Sequence, residues 1–322
     1  MTTAVAPGKA SDKARVTGLL RDYGVYLALA LLFLVNLFVT DNFFTLDNLR
    51  TQAVQVVPTL VVALGMALVI GTKGIDLSVG SVMAVTSALL PLYLGYGVGL
   101  SVGICLLAGA VGGLLSGYLV AFIGVQPIVA TLALLVGGRG LALVIAGGQL
   151  KQIRNQDLLA LGSNTLLGIP YTVWIAALLA VLVGLLVSRT TFGRQLVAIG
   201  GNPRAAEFAG LPVKRVLVTV YVLSGVLAAV AGVLATARLT ASDPSRLGEL
   251  IELSAITAVV VGGTPLTGGK VRVLGTVAGA VLMQLIVATL IKNDVPASLA
   301  QMAQALIIVA AVLVQREGNG SR

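Results

Sequence analysis

The sequence contains no histidine, a single cysteine and few charged residues. Without histidine the chain cannot build a Ser-His-Asp triad, a Cys-His dyad or a histidine-ligated metal centre. The one cysteine, Cys105, lies in an apolar stretch, so an internal disulfide is excluded and a thiolate metal cluster is not expected. We therefore expect no catalytic residue, no bound cofactor and no metal in this chain.

Charge is scarce over the whole length. Of 322 residues, 57% are hydrophobic and 10% are charged, whereas a soluble globular protein carries about 25% charged residues. The mean hydropathy is +1.03. Apolar stretches long enough to cross a hydrocarbon core of ~30 Å recur along the chain, and the ~10-residue alternating segments of a membrane barrel do not. The composition predicts an all-α, polytopic helical membrane protein.

The hydropathy pattern predicts about ten transmembrane spans. The eighth is short and ends in glycines, so we expect a tilted or broken helix there. The basic residues 1–22 lack a cleavage site and are predicted to form a cytoplasmic tail, as are residues 316–322. The predicted spans cover approximately residues 23–40, 53–72, 76–94, 98–123, 127–146, 168–188, 215–237, 251–263, 273–291 and 298–315.

Lysine and arginine outnumber aspartate and glutamate by 21 to 12. If the N-terminus is cytoplasmic, the ten predicted spans place most of these basic residues in cytoplasmic segments. That bias follows the positive-inside rule and predicts that both termini are cytoplasmic. No basic stripe is interleaved with aromatic residues, so we expect no nucleic-acid partner.

Glycines recur at a spacing of four in two predicted spans. Gly109, Gly113 and Gly117 form one series, and Gly275 and Gly279 form the other. Small residues at this period let helix backbones approach closely in lipid. The pattern predicts close helix packing, either within the chain or between subunits.

Two polar segments between spans are long enough to contact partners. Residues 147–168 are predicted to lie outside and could dock a partner or cap an opening. Residues 189–214 are predicted to be cytoplasmic, and Asn202 followed by Pro203 signals a helix start there. The sequence "RAAEFAG" then predicts a short helix that ends at Gly210. This segment could be a docking element or a plain connector.

The stretch "GGTPLTGGKV", residues 262–271, superficially resembles a phosphate-binding loop. Five residues rather than four separate Gly263 from Gly269, and Val271 stands where the magnesium-binding hydroxyl belongs. No strand is predicted before it. We conclude that this chain binds no ATP there, and that another chain would have to supply any ATPase.

Four motifs give the chain a specific resemblance. They are "GIDLSVGS" (residues 74–81), "QPIVATL" with "GGRGLA" (126–142), "FGRQLVAIGGNPRAAEFAGL" (192–211) and "AVVVGGTPLTGGKVRVLGTVAGA" (258–280). Together they resemble the permease subunits of bacterial ABC importers for monosaccharides, the branch with the ribose, xylose, galactose and autoinducer-2 permeases. Within it the chain looks most similar to a galactofuranose-type permease. It departs from the pattern at Thr72 and Lys73, where many members carry small residues.

The resemblance implies the partners. Such permeases dimerise with an identical or sibling permease in the bacterial inner membrane, two ATPase subunits bind ATP and Mg underneath, and an extracytoplasmic sugar-binding protein delivers substrate. The segment 189–214 would then hold a coupling helix seated in the ATPase, with the alanines in its groove and the charges at its rim. The implied coupling residues are Gly193, Arg194, Gly201, Asn202, Pro203, Arg204, Ala205, Ala206, Glu207 and Gly210.

Asp76 is a carboxylate among residues that otherwise suit lipid. Gly74 would allow a sharp reversal, and Asp76 would then cap the first turn of the next helix at the cytoplasmic boundary. Alternatively Asp76 and Ser78 line a pathway and bind sugar hydroxyls, since intramembrane ionisable residues are candidate functional sites. A salt bridge to Lys73 or to another helix is the third possibility. Gln126 and Thr131 are further polar candidates for a pathway or a structural role.

Arg139 lies within the fifth predicted span, flanked by glycines. It could pair with an acidic residue such as Glu252, near the outer end of the eighth span, or line the outer vestibule. Three functions remain open: an ABC permease for a monosaccharide, the same architecture carrying inositol, a nucleoside or autoinducer-2, and a stand-alone secondary transporter.

Overall fold

The computed structural model describes residues 12–296, 298, 299, 302 and 305–307. Over this part the chain is helical apart from short turns and two pairs of two-residue strands. The helices are α1 (Asp12–Val39), α2 (Leu46–Gly71), α3 (Val79–Tyr93), α4 (Val98–Tyr118), α5 (Pro127–Ala146), α6 (Gln156–Ser163), α7 (Tyr171–Arg189), α8 (Thr191–Gly201), α9 (Pro203–Phe208), α10 (Val213–Leu239), α11 (Ile251–Val261) and α12 (Val273–Lys292). The strands are β1 (Lys151–Gln152), β2 (Thr165–Leu166), β3 (Ile169–Pro170) and β4 (Ala241–Ser242).

Seven helices in the described part are long and apolar enough to cross a membrane: α2, α3, α4, α5, α7, α10 and α12. Each overlaps a predicted span. The first and eighth predicted spans fall on shorter apolar stretches, Tyr23–Val39 of α1 and Ile251–Val261. Most of the tenth, 298–315, lies outside the described residues. The prediction of an all-α, polytopic membrane protein is confirmed.

The centre of the bundle is formed by α2, α3 and α10. From residue 56 to residue 71 nearly every side chain of α2 is buried, because α10, α7, α11 and α12 surround it. By contrast α4, α5 and α7 expose much of their apolar surface. Apolar side chains on the outside are expected where lipid rather than water surrounds a protein.

The glycine series marks direct contacts between helix backbones. A Cβ atom on Gly113 would lie 2.2 Å from the carbonyl oxygen of Tyr221 in α10. In the second series, a Cβ atom on Gly279 would lie 2.1 Å from the carbonyl oxygen of Ala258 in α11. Only glycine fits at such distances, which confirms the predicted close packing and places it within the chain.

The segment 189–214 contains two helices, although the sequence predicted only the second. Thr190 caps α8 by accepting a hydrogen bond from the backbone N–H of Gly193 at 3.2 Å. Gly193 itself faces inward, where a Cβ atom would meet the carbonyl oxygen of Val187 at 2.1 Å, whereas Arg194 is exposed. Gly193 therefore packs α8 against α7 rather than facing a partner.

At the other end of the bundle, the polar segment 147–168 packs onto the chain after α10. Lys151 of β1 pairs antiparallel with Ser242 of β4, and β2 pairs with β3 in a small hairpin. The helix α6 contacts both α10 and α7. This end and the end that carries α8 and α9 lie at opposite ends of α2, whose 26 residues span roughly 39 Å at the helical rise per residue.

Candidate functional site

The helix α9 is short but well defined at both ends. The Asn202 side chain accepts a hydrogen bond from the backbone N–H of Ala205 at 3.1 Å, and Pro203 occupies the first turn. At the other end Gly210 takes a left-handed conformation with φ of 78°. The Gly210 N–H donates to Glu207 and the Leu211 N–H to Ala206, which together form a Schellman motif. The predicted start and end of this helix are confirmed.

The side chains that α9 exposes are not the ones that the resemblance implied, which had both alanines facing the ATPase. Ala206 is buried against the rest of the chain, so in this structure its side chain is not available to a partner. Phe208, which the sequence analysis did not select, is 92% exposed. The other exposed residues from 201 to 210 are Gly201, Asn202, Pro203, Arg204, Ala205, Glu207, Ala209 and Gly210. A capped helix thus presents a large aromatic side chain among polar neighbours.

Three glycines bring the backbone of α8 into contact with the end of α2 and with the loop between α11 and α12. The N–H of Gly269 donates to the carbonyl oxygen of Gly71, the last residue of α2, at 3.0 Å. A Cβ atom on Gly200 would lie 1.8 Å from that same Gly71 oxygen and 2.6 Å from the Gly269 nitrogen. We call Gly71, Gly200 and Gly269 the glycine junction. It is a contact between three backbones in which no side chain fits.

Lys73 lies beside the glycine junction. Its φ is 66°, and the Gly74 N–H donates to Val69 at 3.0 Å, so α2 ends in a Schellman motif whose left-handed residue is Lys73. The Lys73 Nζ donates to the carbonyl oxygen of Gly201 at 3.1 Å. The departure from small residues at this position therefore adds a side-chain contact to α8.

The stretch "GGTPLTGGKV" has a structural role at this junction. It forms the loop between α11 and α12, and Gly268 and Gly269 have positive φ values of 74° and 77°. A Cβ atom on Gly268 would lie 2.5 Å from the Lys73 Cγ. The glycines thus bring this loop against α2 and α8. A helix, α11, precedes it, in agreement with the prediction that no strand comes before it.

Asp76 is completely buried in the turn between α2 and α3. Its Oδ1 accepts hydrogen bonds from the Ser78 N–H at 3.0 Å and from the Ser78 hydroxyl at 2.6 Å. Its Oδ2 accepts from the Ser224 hydroxyl of α10 at 2.8 Å. The carboxylate therefore holds the turn and ties it to the central helix.

The structure bears differently on the three interpretations of Asp76. The helix α3 begins at Val79, so Asp76 precedes it and bonds the N–H two residues on instead of capping its first turn. Gly74 does not make the reversal, since Lys73 does; Gly74 is required because a Cβ atom would meet the Tyr221 hydroxyl at 2.6 Å. No salt bridge joins Asp76 to Lys73 among the described residues. Asp76 has no exposed surface in this structure, and its role in lining a pathway stays a prediction.

We expect Asp76→Asn to be tolerated and Asp76→Ala to be damaging. Asparagine keeps one acceptor for Ser78, and its amide can donate to the Ser224 oxygen if that hydroxyl rotates. Alanine leaves Ser224 and Ser78 without an acceptor, at a cost of about 1–3 kcal/mol for each unsatisfied buried group. Thermal unfolding of the purified permease in detergent would measure both. Equal losses for Asn and Ala would contradict this role and favour a requirement for the charge.

The remaining polar candidates are not gathered into one site. Thr131 is buried, with its hydroxyl 2.9 Å from the carbonyl oxygen of Pro127 and 3.2 Å from that of Ile75. Ser78 lies 3.4 Å from Ser116 of α4, and Gln126 is exposed at the start of α5. Ser78 and Thr131 thus stabilise the segment around Asp76 through helix contacts.

The predicted pair between Arg139 and Glu252 is wrong as a direct ion pair. The Arg139 Nη1 donates to the backbone carbonyls of Pro244 at 3.1 Å and Leu247 at 2.7 Å. The Glu252 Oε2 is buried without a hydrogen-bond partner in the described residues. Arg139 therefore anchors the loop between β4 and α11 onto α5.

Comparison with known proteins finds a permease family and several similar permeases. The family model described as "branched-chain amino acid transport system / permease component" matches residues 48–312. The fructose import permease protein FruF of Bifidobacterium longum is 40% identical, covering 80% of this chain and 74% of its own length. The galactofuranose transporter permease protein YtfT of Escherichia coli is 39% identical over 81% and 77%. No solved structure is significantly similar.

A third relative is similar over a larger share of the chain. The ribose import permease protein RbsC of Haemophilus influenzae is 36% identical, covering 89% of this chain and 91% of its own length. The glycine junction, the turn with Asp76 and the helix α9 all lie inside the region that the family model matches. The family model matches most of the chain, and the seven long apolar helices agree with it. The chain therefore belongs to the family described as the permease component of the branched-chain amino acid transport system.

Proposed function

We propose that the chain is the membrane-spanning subunit of an ATP-driven ABC importer that carries a monosaccharide into the cell. The relatives at 36–40% identity are named as permeases for fructose, galactofuranose and ribose, which supports a sugar as the substrate. The described residues include no group of histidine, cysteine, aspartate or glutamate suited to hold a metal. The names of these relatives as import and transport permeases support a role in transport rather than catalysis.

In this proposal the chain crosses the bacterial cytoplasmic membrane ten times, with both termini in the cytoplasm. The tail 1–22 and residues 316–322 would be cytoplasmic, and so would the coupling segment 189–214. Two ATPase subunits would bind on that side, and they would hold ATP and Mg. A sugar-binding protein would deliver substrate outside, and a second identical or sibling permease would complete the transmembrane unit.

The exposed face of α9 is the observation that carries this proposal. A helix fixed by a cap at Asn202 and a Schellman motif at Gly210 can transmit a displacement without unwinding. Phe208 supplies the apolar contact, and Arg204 and Glu207 stand beside it at the surface. Movement of α9 would reach α2 through the adjoining α8 and the glycine junction.

The test of the proposed function is uptake by cells that lack their own sugar importers. The chain, its ATPase and its binding protein are expressed together, and uptake of labelled ribose, fructose, galactose and arabinose is measured. We expect uptake of one sugar that stops when the ATPase carries a hydrolysis-deficient substitution. Uptake without the ATPase would instead indicate a secondary transporter. Uptake of inositol, a nucleoside or autoinducer-2, and of no sugar, would keep the importer and change its substrate.

A further inference from the structure

A cavity of about 350 Å³ opens at the end of the bundle opposite the glycine junction. This outer cavity lies between the start of α2, the end of α6, the β2–β3 hairpin and the end of α10. Its volume falls within the ~300–1,000 Å³ of small-molecule sites. The polar residues that line it are Arg50, Thr51, Gln55, Ser163, Thr165 and Arg238.

Arg238 is the unexplained group in the outer cavity. It is half-buried, yet it makes no hydrogen bond or ion pair with any residue that the structure describes. A guanidinium carries five N–H donors, and Arg238 lines the cavity, so it can donate to a ligand bound there. Arg50, on the facing helix, uses its Nε to donate to the Gly168 carbonyl at 2.9 Å. Its Nη1 lies 4.0 Å from the Asp47 Oδ1 in an exposed ion pair, so among its outer nitrogens Nη2 is the one without a recorded partner.

The other polar groups of the cavity offer acceptors as well as donors. The Thr51 hydroxyl proton is engaged with the Asp47 carbonyl at 2.8 Å, and that of Ser163 with the Leu159 carbonyl at 2.9 Å. Their oxygen lone pairs are therefore free to accept. The Gln55 Oε1 accepts from Gln284 at 2.8 Å, which leaves the Gln55 amide N–H groups as donors.

This mixture distinguishes between two kinds of ligand. A carboxylate or phosphate accepts hydrogen bonds only, so it would leave the acceptors of Thr51 and Ser163 unused. A sugar hydroxyl both donates and accepts. The charge of Arg238 is also partly balanced without an anion, because it lies in the last turn of α10, where the helix dipole favours a cation.

We propose that the outer cavity binds the transported sugar as it enters the permease, with Arg238 and Arg50 donating to its hydroxyls and Thr51 and Ser163 accepting from them. The inference rests on the proposed function and specifies where the substrate is first held. The ligand class is a neutral monosaccharide.

Cysteine labelling tests the inference in membrane vesicles that contain the full permease. Thr165→Cys places a thiol in the cavity without removing a proposed sugar contact, and Leu167→Cys places one outside it, since Leu167 is 87% exposed and does not line the cavity. The native Cys105 is buried and should not react. A membrane-impermeant maleimide is added with millimolar ribose, fructose, galactose or arabinose, or with galacturonate as an anionic probe.

We expect one neutral sugar to slow labelling at position 165 several-fold, to leave position 167 unaffected, and to lose this protection in Arg238→Met. Arg238→Gln, which keeps hydrogen-bond donors without the charge, should retain part of it. An unchanged labelling rate at position 167 shows that each variant is folded. The inference is overturned if no neutral sugar protects, if galacturonate alone protects, or if protection survives Arg238→Met.

Failure of this inference is distinguishable from failure of the proposed function. If the uptake assay shows sugar import but no sugar slows labelling of the cavity thiol, the proposed function holds and only the proposed binding site is wrong. If Arg238→Met instead weakens binding of the sugar-binding protein to the vesicles, the cavity is a protein contact and the inference is also overturned.

Discussion

Replacing Gly200 with alanine should strongly reduce transport, whereas replacing its neighbour Gly201 should not. A Cβ atom at position 200 would lie 1.8 Å from the Gly71 oxygen and 2.6 Å from the Gly269 nitrogen. Both obstacles are backbone atoms, so neither can move aside as a side chain would. Overpacking of this kind costs ~1–3 kcal/mol, and here relaxation must separate α8 from the end of α2. We expect transport to fall about tenfold or more.

Gly201 is the matched control, because a Cβ atom there meets nothing within 4 Å. Transport and ATP hydrolysis should be measured together in proteoliposomes with the ATPase and the binding protein. If the glycine junction transmits movement, Gly200→Ala loses transport while the ATPase still binds and hydrolyses ATP. Equal behaviour of Gly200→Ala and Gly201→Ala would show that the junction is not needed.

The periodic features of the chain were predictable from sequence. Apolar stretches, glycine spacing and the signal at Asn202 and Pro203 each reflect short-range physics: the length needed to cross lipid, the size of a side chain, and the bonding of free amides. For this reason the seven long helices, their close packing and the two ends of α9 agree with the predictions.

Features that depend on distant segments were not predictable. The partner of Asp76 is Ser224, 148 residues away, and nothing local marks that serine. The partners of Arg139 are the backbone carbonyls of Pro244 and Leu247, and because every residue carries a carbonyl, no sequence pattern marks them. Lys73 was considered as a departure from small residues and as a salt-bridge partner of Asp76, but its φ of 66° was not predictable, because a left-handed conformation is unusual for a side chain larger than glycine.

The helix α8 was missed although a signal was present. Thr190 is a suitable helix cap, and the following residues bury Leu196 and Ile199 three apart on one face. The sequence analysis considered residues 192–211 only for the glycines and charged residues that resemble ABC permeases. Phe208 was missed for a related reason: an apolar residue in a short helix is usually buried, and here the tertiary structure turns Ala206 inward instead.

Replacing Phe208 with alanine should weaken binding between the permease and its ATPase. In the proposed complex this side chain, 92% exposed in the isolated chain, becomes the buried centre of the contact. Aromatic residues at such centres cost ~2 kcal/mol or more when truncated, which corresponds to about 30-fold weaker binding. Arg204→Ala and Glu207→Ala, at the rim, should each cost at most ~1 kcal/mol.

The measurement is retention of the tagged ATPase by the purified permease, together with sugar uptake. Phe208→Leu, which keeps an apolar side chain of similar reach, should retain part of both activities. Tyr96→Ala serves as the control, because Tyr96 is 77% exposed but lies between α3 and α4, in a segment predicted to be outside the cell. Because Ala206 is buried, Ala206→Asp would disturb the packing of α9 and cannot separate contact from folding. If Phe208→Ala retains the ATPase as well as Tyr96→Ala does, α9 is a connector, and the ATPase must bind elsewhere on this face.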